Sequence, residues 1–367
     1  MPSPLPDLET MGLEYLRRRS SARDARVGDS ASGLSDPVHV LNPAELAALR
    51  RIEIGVVLRA GVAGALSAAV SATAEVVAAG PGGDLDAAGW AFVIGITLAA
   101  TTVEIAFLYW DALRSVHDLA CAAGVRLFAQ GEAIGTAQAL ARAALELPNR
   151  VDPGLGIDPH REASKLALLG AAVLYKVKIG LTNFLVKLAI RRLLGRAVVR
   201  SWLPFVAVPI TAIWNAWVAR MVIHEARLRA MGPSAAQARI EALFGTRDLS
   251  QAGREAALRA VGYAVVGKRD LHPNLGALLV LLRQHLGGPG PALLDDRAVF
   301  LRELPALPPD ERDLVLALLS LALVLDGRLS ARERALWQAA QQAAGLPHDE
   351  RGIRQLRRAF VTGRPLD

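Results

Sequence analysis

Two apolar stretches decide the fold of this chain: residues 60–74, AGVAGALSAAVSATA, and residues 87–103, AAGWAFVIGITLAATTV. Neither stretch contains a charged residue, and both consist mainly of the small and aliphatic residues of a long apolar helix. The sequence between them, GPGGDLD at residues 80–86, is too rich in glycine and proline to continue a helix. We therefore predict a helical hairpin with arms of a length compatible with crossing a bilayer.

The charges around this hairpin indicate an orientation in a membrane. Arginines flank the two arms and acids occupy the turn, the residues being Arg50, Arg51, Arg59 and Arg114 on the arms and Asp84 and Asp86 in the turn. Cytoplasmic segments of membrane proteins carry the excess of Lys and Arg, so we expect both chain termini on the cytoplasmic side of the membrane. A soluble, alanine-rich hairpin buried in a helix bundle is the alternative.

The composition of the 367-residue chain excludes several classes of protein. The chain is 52% hydrophobic and 21% charged, with a mean hydropathy of +0.30, which is too apolar for a disordered or an ordinary soluble protein. Aromatic residues make up 5%, so the apolarity comes from Ala, Leu and Val, which favour packed helices. The single cysteine, Cys121, excludes a disulfide within the chain and a cysteine-based metal site. The predicted fold class is all-α.

Composition also predicts where the first two regions of the chain lie. Residues 1–40 are rich in Pro, Ser, Gly and Arg, and we expect a disordered basic tail. Residues 41–231 are expected to form a membrane-associated helical domain. Its first helix should begin at Asn42-Pro43, because asparagine is a good N-cap and proline suits the first helical position.

The C-terminal region has a different pattern. Residues 234–367 follow Gly232-Pro233 and alternate charged with apolar residues at helical spacing, which predicts a soluble helical bundle. Its longest apolar run, residues 314–325, is too short to cross a bilayer and predicts a core helix.

A strongly basic stretch lies in the middle of the chain. Residues 159–200 carry many lysines and arginines and almost no acid after Glu162, which is typical of a helix on anionic lipid headgroups. We expect headgroup contacts from Arg192, Arg196, Arg200 and Arg220. Residues 201–219 are uncharged, contain two prolines and are basic on both sides, which favours a re-entrant or interfacial hairpin. A buried helix pair inside a globular bundle is the alternative.

Two charged stripes suggest which helices pack together. Acids recur every seven residues along one helix face, with an arginine beside them: Glu104, Asp111, Asp118 and Arg114. A basic stripe on a later helix contains Lys176, Lys187 and Arg191. Because unpaired charges inside an apolar bundle are costly, we predict that the two stripes pair. The alternatives are stripes that face water or headgroups, and a proton or ion relay through Glu104.

Part of the apolar region resembles a known family. Residues 101–104 (TTVE), continued by residues 113–120 (LRSVHDLA) up to Gly124, are similar to the threonine-rich apolar helix of the EcsC family, which ends in an Arg-Ser-Ile-Ala-like segment and a glycine. A later stretch resembles that family's proline-rich turn, which an asparagine and a basic helix follow; its residues are Leu203, Pro204, Pro209, Asn215 and Arg220. This chain has Ala207 and Pro209 where glycines are usual. The resemblance covers about residues 45–230 and implies a bacterial membrane-associated helical protein.

A second resemblance lies near the C-terminus. Residues 325–333, LDGRLSARE, resemble the helix-turn-helix signature of TerB-like domains. Asp326-Gly327 permits a sharp turn, and Ser330 with Glu333 forms a capping box for the next helix. TerB-like folds contain two such units, and residues 266–273 match the first, with Lys268 where the second has Asp326. A metal held by acids at both turns would lack one acid here, so we favour capping over metal ligation.

No residue pattern predicts catalysis, a cofactor or a metal site. The seven histidines have no metal-ligand spacing, and no glycine-rich phosphate loop is present in the sequence. Glycines such as Gly61 and Gly64 are better explained by close helix contact. The net charge of +7 permits nucleic-acid binding, but the basic residues flank apolar segments, so anionic lipid is the expected partner and nucleic acid is not.

The expected function is a non-enzymatic, membrane-associated scaffold or accessory protein. Its TerB-like domain would recruit a cytosolic protein partner. A membrane hydrolase acting on lipid or peptide through residues near Glu104 and Arg114 is the alternative from another class, and a soluble basic nucleic-acid-binding protein is a further one.

Overall fold

The computed structural model describes residues 7–27, 37–80, 85–128, 134–149, 157, 203–245, 247, 249–287 and 294–366. Within these ranges the chain forms α-helices and no β-strand, which confirms the predicted all-α class. The helices are α1 (Leu8–Val27), α2 (Pro43–Ala79), α3 (Ala87–Ala122), α4 (Ile134–Ala144), α5 (Ala207–Phe244), α6 (Gln251–Lys268), α7 (Pro273–Leu286), α8 (Arg297–Glu303), α9 (Pro309–Val324), α10 (Ala331–Ala343) and α11 (Glu350–Thr362). Short 3-10 turns lie at Leu203–Val206 and Leu304–Ala306.

The chain divides into two compact units that are not contiguous in sequence. Unit 1 comprises Met1–Ala47, Leu119–Ala163 and Glu225–Asp367, and unit 2 comprises Ala48–Asp118 and Ser164–His224. This differs from the boundary between residues 231 and 234 that composition predicts. Helices α2, α3 and α5 each contribute residues to both units, so a change in residue type along the chain does not mark the division.

Local capping explains where the two long apolar helices begin. The Asn42 side-chain oxygen accepts a hydrogen bond from the Glu45 N–H at 2.9 Å, and Glu45 accepts one from the Asn42 N–H at 2.9 Å. Helix α2 therefore starts at Pro43, as the sequence predicts. Asp86 caps α3 by accepting from the Gly89 N–H at 2.7 Å. The glycine-rich stretch between α2 and α3 thus separates two helices, also as predicted.

Helix α1 corrects the expectation of a disordered tail over residues 1–40. Its Leu16 is fully buried. The Glu9 carboxylate, also buried, accepts hydrogen bonds from Gln138 and Arg142 of α4. The prediction was wrong for residues 8–27 because this anchoring depends on a helix more than a hundred residues away, which composition does not register.

Contacts between distant parts of the chain hold unit 1 together. The Leu41 N–H donates to the Gly363 carbonyl at 2.9 Å, and the His39 ring lies within hydrogen-bond distance of Ser234, at 3.1 Å. Helix α9 lies in the core, packed against α6, α10 and α11, and its leucines are buried. The apolar run at residues 314–325 therefore forms a core helix, as predicted.

Proline 233 does not end a helix, contrary to the sequence-based boundary. Helix α5 continues through it to Phe244. Gly232 leaves room for the Asn274 side chain, because a Cβ at this glycine would lie only 2.1 Å from Asn274 Cγ. Asn274 also donates to the Leu228 carbonyl of α5 at 2.9 Å.

Candidate functional site

The outer surface of α3 in unit 2 is apolar and exposed. Between Ala87 and Trp110 the fully buried residues are Val93 and Glu104. The large apolar side chains point outward, with exposed fractions of 43 to 70%: Trp90, Phe92, Ile94, Leu98, Val103, Ile105 and Trp110. A protein folded in water has the opposite arrangement, with aliphatic residues inside and carboxylates outside.

The same pattern continues on α2. Ile54, Leu58, Val62 and Leu66 recur every fourth residue, which places them along one helix face, and each is at least half exposed. The face of α2 turned inward carries small residues, among them Ala60, Gly64 and Ala68. Aliphatic residues outside and small residues inside are typical of helices that pack closely within lipid.

Helix α5 adds aromatic residues to the apolar surface of unit 2. Trp214 and Trp217 lie with ring centroids 5.1 Å apart, and together with Ile210 and Ile213 they line an apolar groove of about 470 Å³. Ile213 and Trp217 are largely exposed. All three described helical segments of unit 2 therefore present apolar side chains outward.

Two described helices, α2 and α3, are long and apolar enough to cross a membrane. Such helices also occur as core helices of soluble proteins, in which case most of their residues are buried. In α3 only 11% of the most apolar segment is buried. The exposure of α3 therefore distinguishes a membrane hairpin from a soluble hairpin buried in a bundle better than its sequence does.

Several polar side chains of unit 2 are buried and meet between helices. Asn215 of α5 donates a hydrogen bond to Glu104 of α3 at 2.6 Å, and both side chains are buried. Gly64 of α2 makes room for this pair, because a Cβ there would lie 2.6 Å from Asn215 Nδ2. The predicted close approach at Gly64 is thereby explained.

A second polar group involves the next acid of the predicted stripe. Arg59 of α2 donates to Asp111 at 2.8 Å and to Ser115 at 3.1 Å, and Asp111 is buried. One turn further, Arg114 lies 4.0 Å from Asp118. The acidic stripe therefore has partners, but the cation for Asp111 comes from α2, which the sequence-based pairing did not assign.

The basic half of the predicted pairing falls outside the described residues. This applies to Lys176, Lys187 and Arg191, and to the expected headgroup contacts Arg192, Arg196 and Arg200. Pairing of Glu104 with one of these cations stays a prediction. Of the expected headgroup residues, Arg220 is described; it is exposed and lies 3.4 Å from Glu53.

Unit 1 holds a buried cation among oxygen atoms at the predicted helix-turn-helix. The Lys268 ammonium, 3% exposed, contacts Asp326 at 2.9 Å, the Leu323 carbonyl at 2.8 Å, and Glu333. Burial alone would raise the pKa of Glu333, but the Lys268 charge and the hydrogen bonds from Ser330 outweigh it, so this pKa lies below its ordinary value. Lys268 thus supplies positive charge to the acids at this turn.

The turn itself has the expected capping geometry. Ser330 accepts from the Glu333 N–H at 3.3 Å, and Glu333 accepts from the Ser330 N–H, which is the capping box expected from the sequence. Asp326 accepts from the Arg328 N–H at 3.0 Å, and Gly327 has a positive φ of 72°. These residues therefore shape the start of α10 while two of them also bind Lys268.

A second buried ionic group in unit 1 surrounds Glu225. Its carboxylate lies 2.8 Å from His272 Nε2 and accepts from Arg229 at 2.9 Å. Burial alone would raise the pKa of Glu225, but the hydrogen bond and charge of His272, together with Arg229, lower it to about 2. Arg229 also donates to the Ala139 carbonyl and to Asn149. This group ties α5 to α4 and to the cap of α7.

The residues that sequence reasoning missed are partners distant in the chain. Asn215 is 111 residues from Glu104, and Arg59 is 52 residues from Asp111. Their only sequence signals are a polar side chain in an otherwise apolar run and an arginine just before one. Among the described residues no group of three or more His, Cys, Asp and Glu side chains converges as metal ligands would.

The chain matches no protein-family model, no curated protein and no solved structure.

Proposed function

We propose that this chain is a membrane-associated scaffold or accessory protein of the bacterial cytoplasmic membrane. Unit 2 embeds in the bilayer through α2 and α3, and unit 1 remains on the cytoplasmic side, where it recruits a protein partner. The EcsC-like and TerB-like resemblances are part of this proposal. In it the protein carries no cofactor and catalyses no reaction.

The observation that carries the proposal is the inverted arrangement of α3. Between Ala87 and Trp110 its exposed apolar side chains include Trp90, Leu98 and Ile105, whereas Glu104 is buried. Exposing this much contiguous apolar surface to water is unfavourable by about 25 cal/mol for each Å², whereas lipid removes that cost. The alternative of a soluble hairpin requires a cover for this surface.

The charge distribution supports the orientation. Arg50 and Arg51 precede the apolar part of α2, and Arg114 lies in the C-terminal part of α3, whereas the stretch between the helices contributes acids. Arg59 is bonded to Asp111, and Arg114 lies 4.0 Å from Asp118. The excess of arginine at the two ends of the hairpin favours an orientation in which these ends, and both chain termini, lie on the cytoplasmic side.

The surface of α11 in unit 1 supports an anionic partner for that unit. Ile353, Leu356 and Phe360 face the core. The opposite face carries exposed arginines, namely Arg351, Arg354 and Arg358. An acidic protein surface or anionic lipid headgroups would complement this face.

Fractionation tests the membrane proposal first. After a high-salt wash and a carbonate wash of cell membranes, we expect the protein to stay with the membranes, because embedded helices resist both whereas headgroup contacts are lost in salt. Release by salt alone would contradict embedding and favour a surface contact.

Tryptophan quenching then locates the embedded surface. In vesicles containing lipids brominated on their acyl chains, a variant that keeps only Trp90 should be strongly quenched. A variant that keeps only Trp337 is the matched control, because Trp337 lies in unit 1, is 8% exposed and donates to the Asp349 carbonyl. Equal, weak quenching of both would refute insertion of α3.

A further inference from the structure

We propose that Glu104 and Asn215, with Ser67 beside them, form a binding site for one small monovalent cation, a proton or a sodium ion, inside unit 2. The inference rests on the proposed embedding of unit 2, because an ionisable side chain surrounded by lipid-facing helices has no water to stabilise its charge. It goes beyond that proposal by assigning a ligand to the buried polar group.

The described partner of Glu104 carries no charge. Among the described residues Glu104 has the Asn215 amide as its hydrogen-bond partner, at 2.6 Å, and an amide carries no net charge. Asp111, seven residues along the same helix, is buried to a similar degree but binds the Arg59 guanidinium. The two acids share a helix and a depth of burial, and within the part of the chain that the structure describes they differ in whether a cation is bound.

The charged groups nearby in sequence do not fill this role. The described α2 and α5 residues that meet beside Glu104 are uncharged, namely Gly64 on α2 and Thr211 and Asn215 on α5. Ser67, one turn along α2 from Gly64, is also uncharged. Arg59 binds Asp111, and Arg220 lies against Glu53. Glu75, two turns beyond Ser67, is an acid and adds no positive charge.

A buried hydroxyl on the face of α2 that carries Gly64 supplies a second, independent observation. Ser67 Oγ is buried and has no hydrogen-bond partner among the described residues. Ser67 follows Gly64 by three residues, so both lie on the face of α2 that meets Asn215. The neighbouring hydroxyls are already used, since Ser71 donates to the Ser67 carbonyl and Thr211 to that of Ala207. A buried hydroxyl without a partner is unfavourable unless a ligand uses it.

One cation would serve both the Glu104 carboxylate and the Ser67 hydroxyl. A proton on Glu104 removes the buried charge and creates a donor, and a sodium ion balances the charge while taking oxygen ligands from Glu104 and Ser67. Because a single carboxylate supplies the negative charge, the two ligands exclude each other. The site therefore exchanges one positive charge for another.

The test uses the full-length protein in vesicles and the apolar reagent dicyclohexylcarbodiimide. A protonated carboxyl transfers its proton to a carbodiimide nitrogen, the carboxylate oxygen adds to the central carbon, and the adduct rearranges to a stable N-acylurea without a leaving group. Mass spectrometry of peptides locates the modification. We expect modification at Glu104, with Asp111 as the unmodified internal control because its charge is paired.

Two arms identify the cation. Loss of modification when the pH is raised at constant sodium identifies exchange of a proton, and loss when sodium replaces choline at constant pH identifies a sodium ion. Glu104→Gln should abolish the adduct, and Ser67→Ala should weaken the protection by sodium while modification at Glu104 persists.

Two outcomes overturn the inference. Absence of an adduct at Glu104 at every pH means that the carboxylate is permanently paired, as in the predicted contact with Lys176 or Lys187. An adduct that neither pH nor sodium changes means a permanently protonated structural acid. Trp90 quenching on the same vesicles separates the two proposals: quenching without a cation-sensitive adduct contradicts the cation site alone, and absence of quenching contradicts membrane embedding.

Discussion

Helix α9 of unit 1 and helix α3 of unit 2 are both built on uninterrupted apolar runs, yet they lie in opposite surroundings. The leucines of α9 are buried against α6, α10 and α11. In α3 most of the large apolar side chains between Ala87 and Trp110 are exposed, and the buried positions of that part include Glu104. The comparison shows that an apolar run predicts a helix. The arrangement of polar residues along that helix predicts whether its apolar side chains are buried or exposed.

Two buried charges, one in each unit, have different partners. In unit 1 the Lys268 ammonium lies between two carboxylates and a backbone carbonyl. In unit 2 the Glu104 carboxylate contacts a neutral amide. Because the charge of Lys268 is balanced by the acids around it, we expect the largest effect of mutation from removing Lys268.

The largest effect is expected from removing the cation of unit 1. Lys268→Met keeps the length of the side chain but leaves Asp326 and Glu333 buried without it, which should destabilise unit 1 by about 3–5 kcal/mol. The unfolding midpoint in denaturant, followed by Trp337 fluorescence, measures this. Adding Glu333→Gln should recover part of the lost stability. If Lys268→Met alone is as stable as wild type, Asp326 and Glu333 reach water.

A somewhat smaller effect should distinguish the two apolar surfaces. Leu98→Lys places a charge near the middle of the exposed apolar face of α3, which in lipid is unfavourable by roughly 3 kcal/mol. Val280→Lys on α7 is the matched control in unit 1, since Val280 is exposed but belongs to a helix with a buried core face. We expect carbonate-resistant membrane association to fall for Leu98→Lys and to stay unchanged for Val280→Lys. Equal behaviour would mean that both surfaces face water.

Acid should weaken unit 1 through Glu225. Its pKa in the folded protein is lowered from 4.5 to about 2, so the stabilisation is fully present above about pH 4.5 and is lost as the pH falls towards 2. The difference corresponds to at most about 3 kcal/mol. Glu225→Gln should lower stability at neutral pH and flatten the acid dependence of the unfolding midpoint. Glu350→Gln is the control, because it removes a less buried carboxylate that contacts Arg334 and Arg354 on the surface of unit 1.

The smallest effect concerns helix contact inside unit 2. Gly64→Ala brings a methyl group within 2.6 Å of Asn215 Nδ2 and 2.9 Å of the Thr211 carbonyl, which should destabilise unit 2 by about 1–3 kcal/mol. Gly95→Ala on α3 meets nothing within 4 Å and should be neutral or slightly stabilising. Thermal stability in detergent compares the two variants, and equal melting temperatures would contradict the close packing of α2 on α5.

Features that depend on neighbours in sequence were predictable. The cap at Asn42 and the capping box at Ser330 each join residues three positions apart, so spacing alone reveals them. The break between α2 and α3 follows from glycine and proline in the same way. The length of α9 likewise indicated a core helix.

Features that depend on distant partners were not predictable. Helix α5 continues through Pro233, and Asn274 of α7 packs against it at Gly232; no local pattern near residue 233 shows either feature. Helix α1 forms against α4 through Glu9 and Arg142. The Asn215 partner of Glu104 comes from a helix that a single sequence does not place beside α3. Such contacts are set by how helices pack, which periodicity along one helix leaves open.

Because unit 1 is assembled from three separate segments, a ribosome releases its first segment long before its last. Leu41 acquires its Gly363 partner only after residue 363 has emerged, and His39 its Ser234 partner only after residue 234 has emerged. The apolar helices α2 and α3 emerge in between. These two helices are therefore synthesised before unit 1 has its third segment, which makes the order of synthesis part of how this fold is reached.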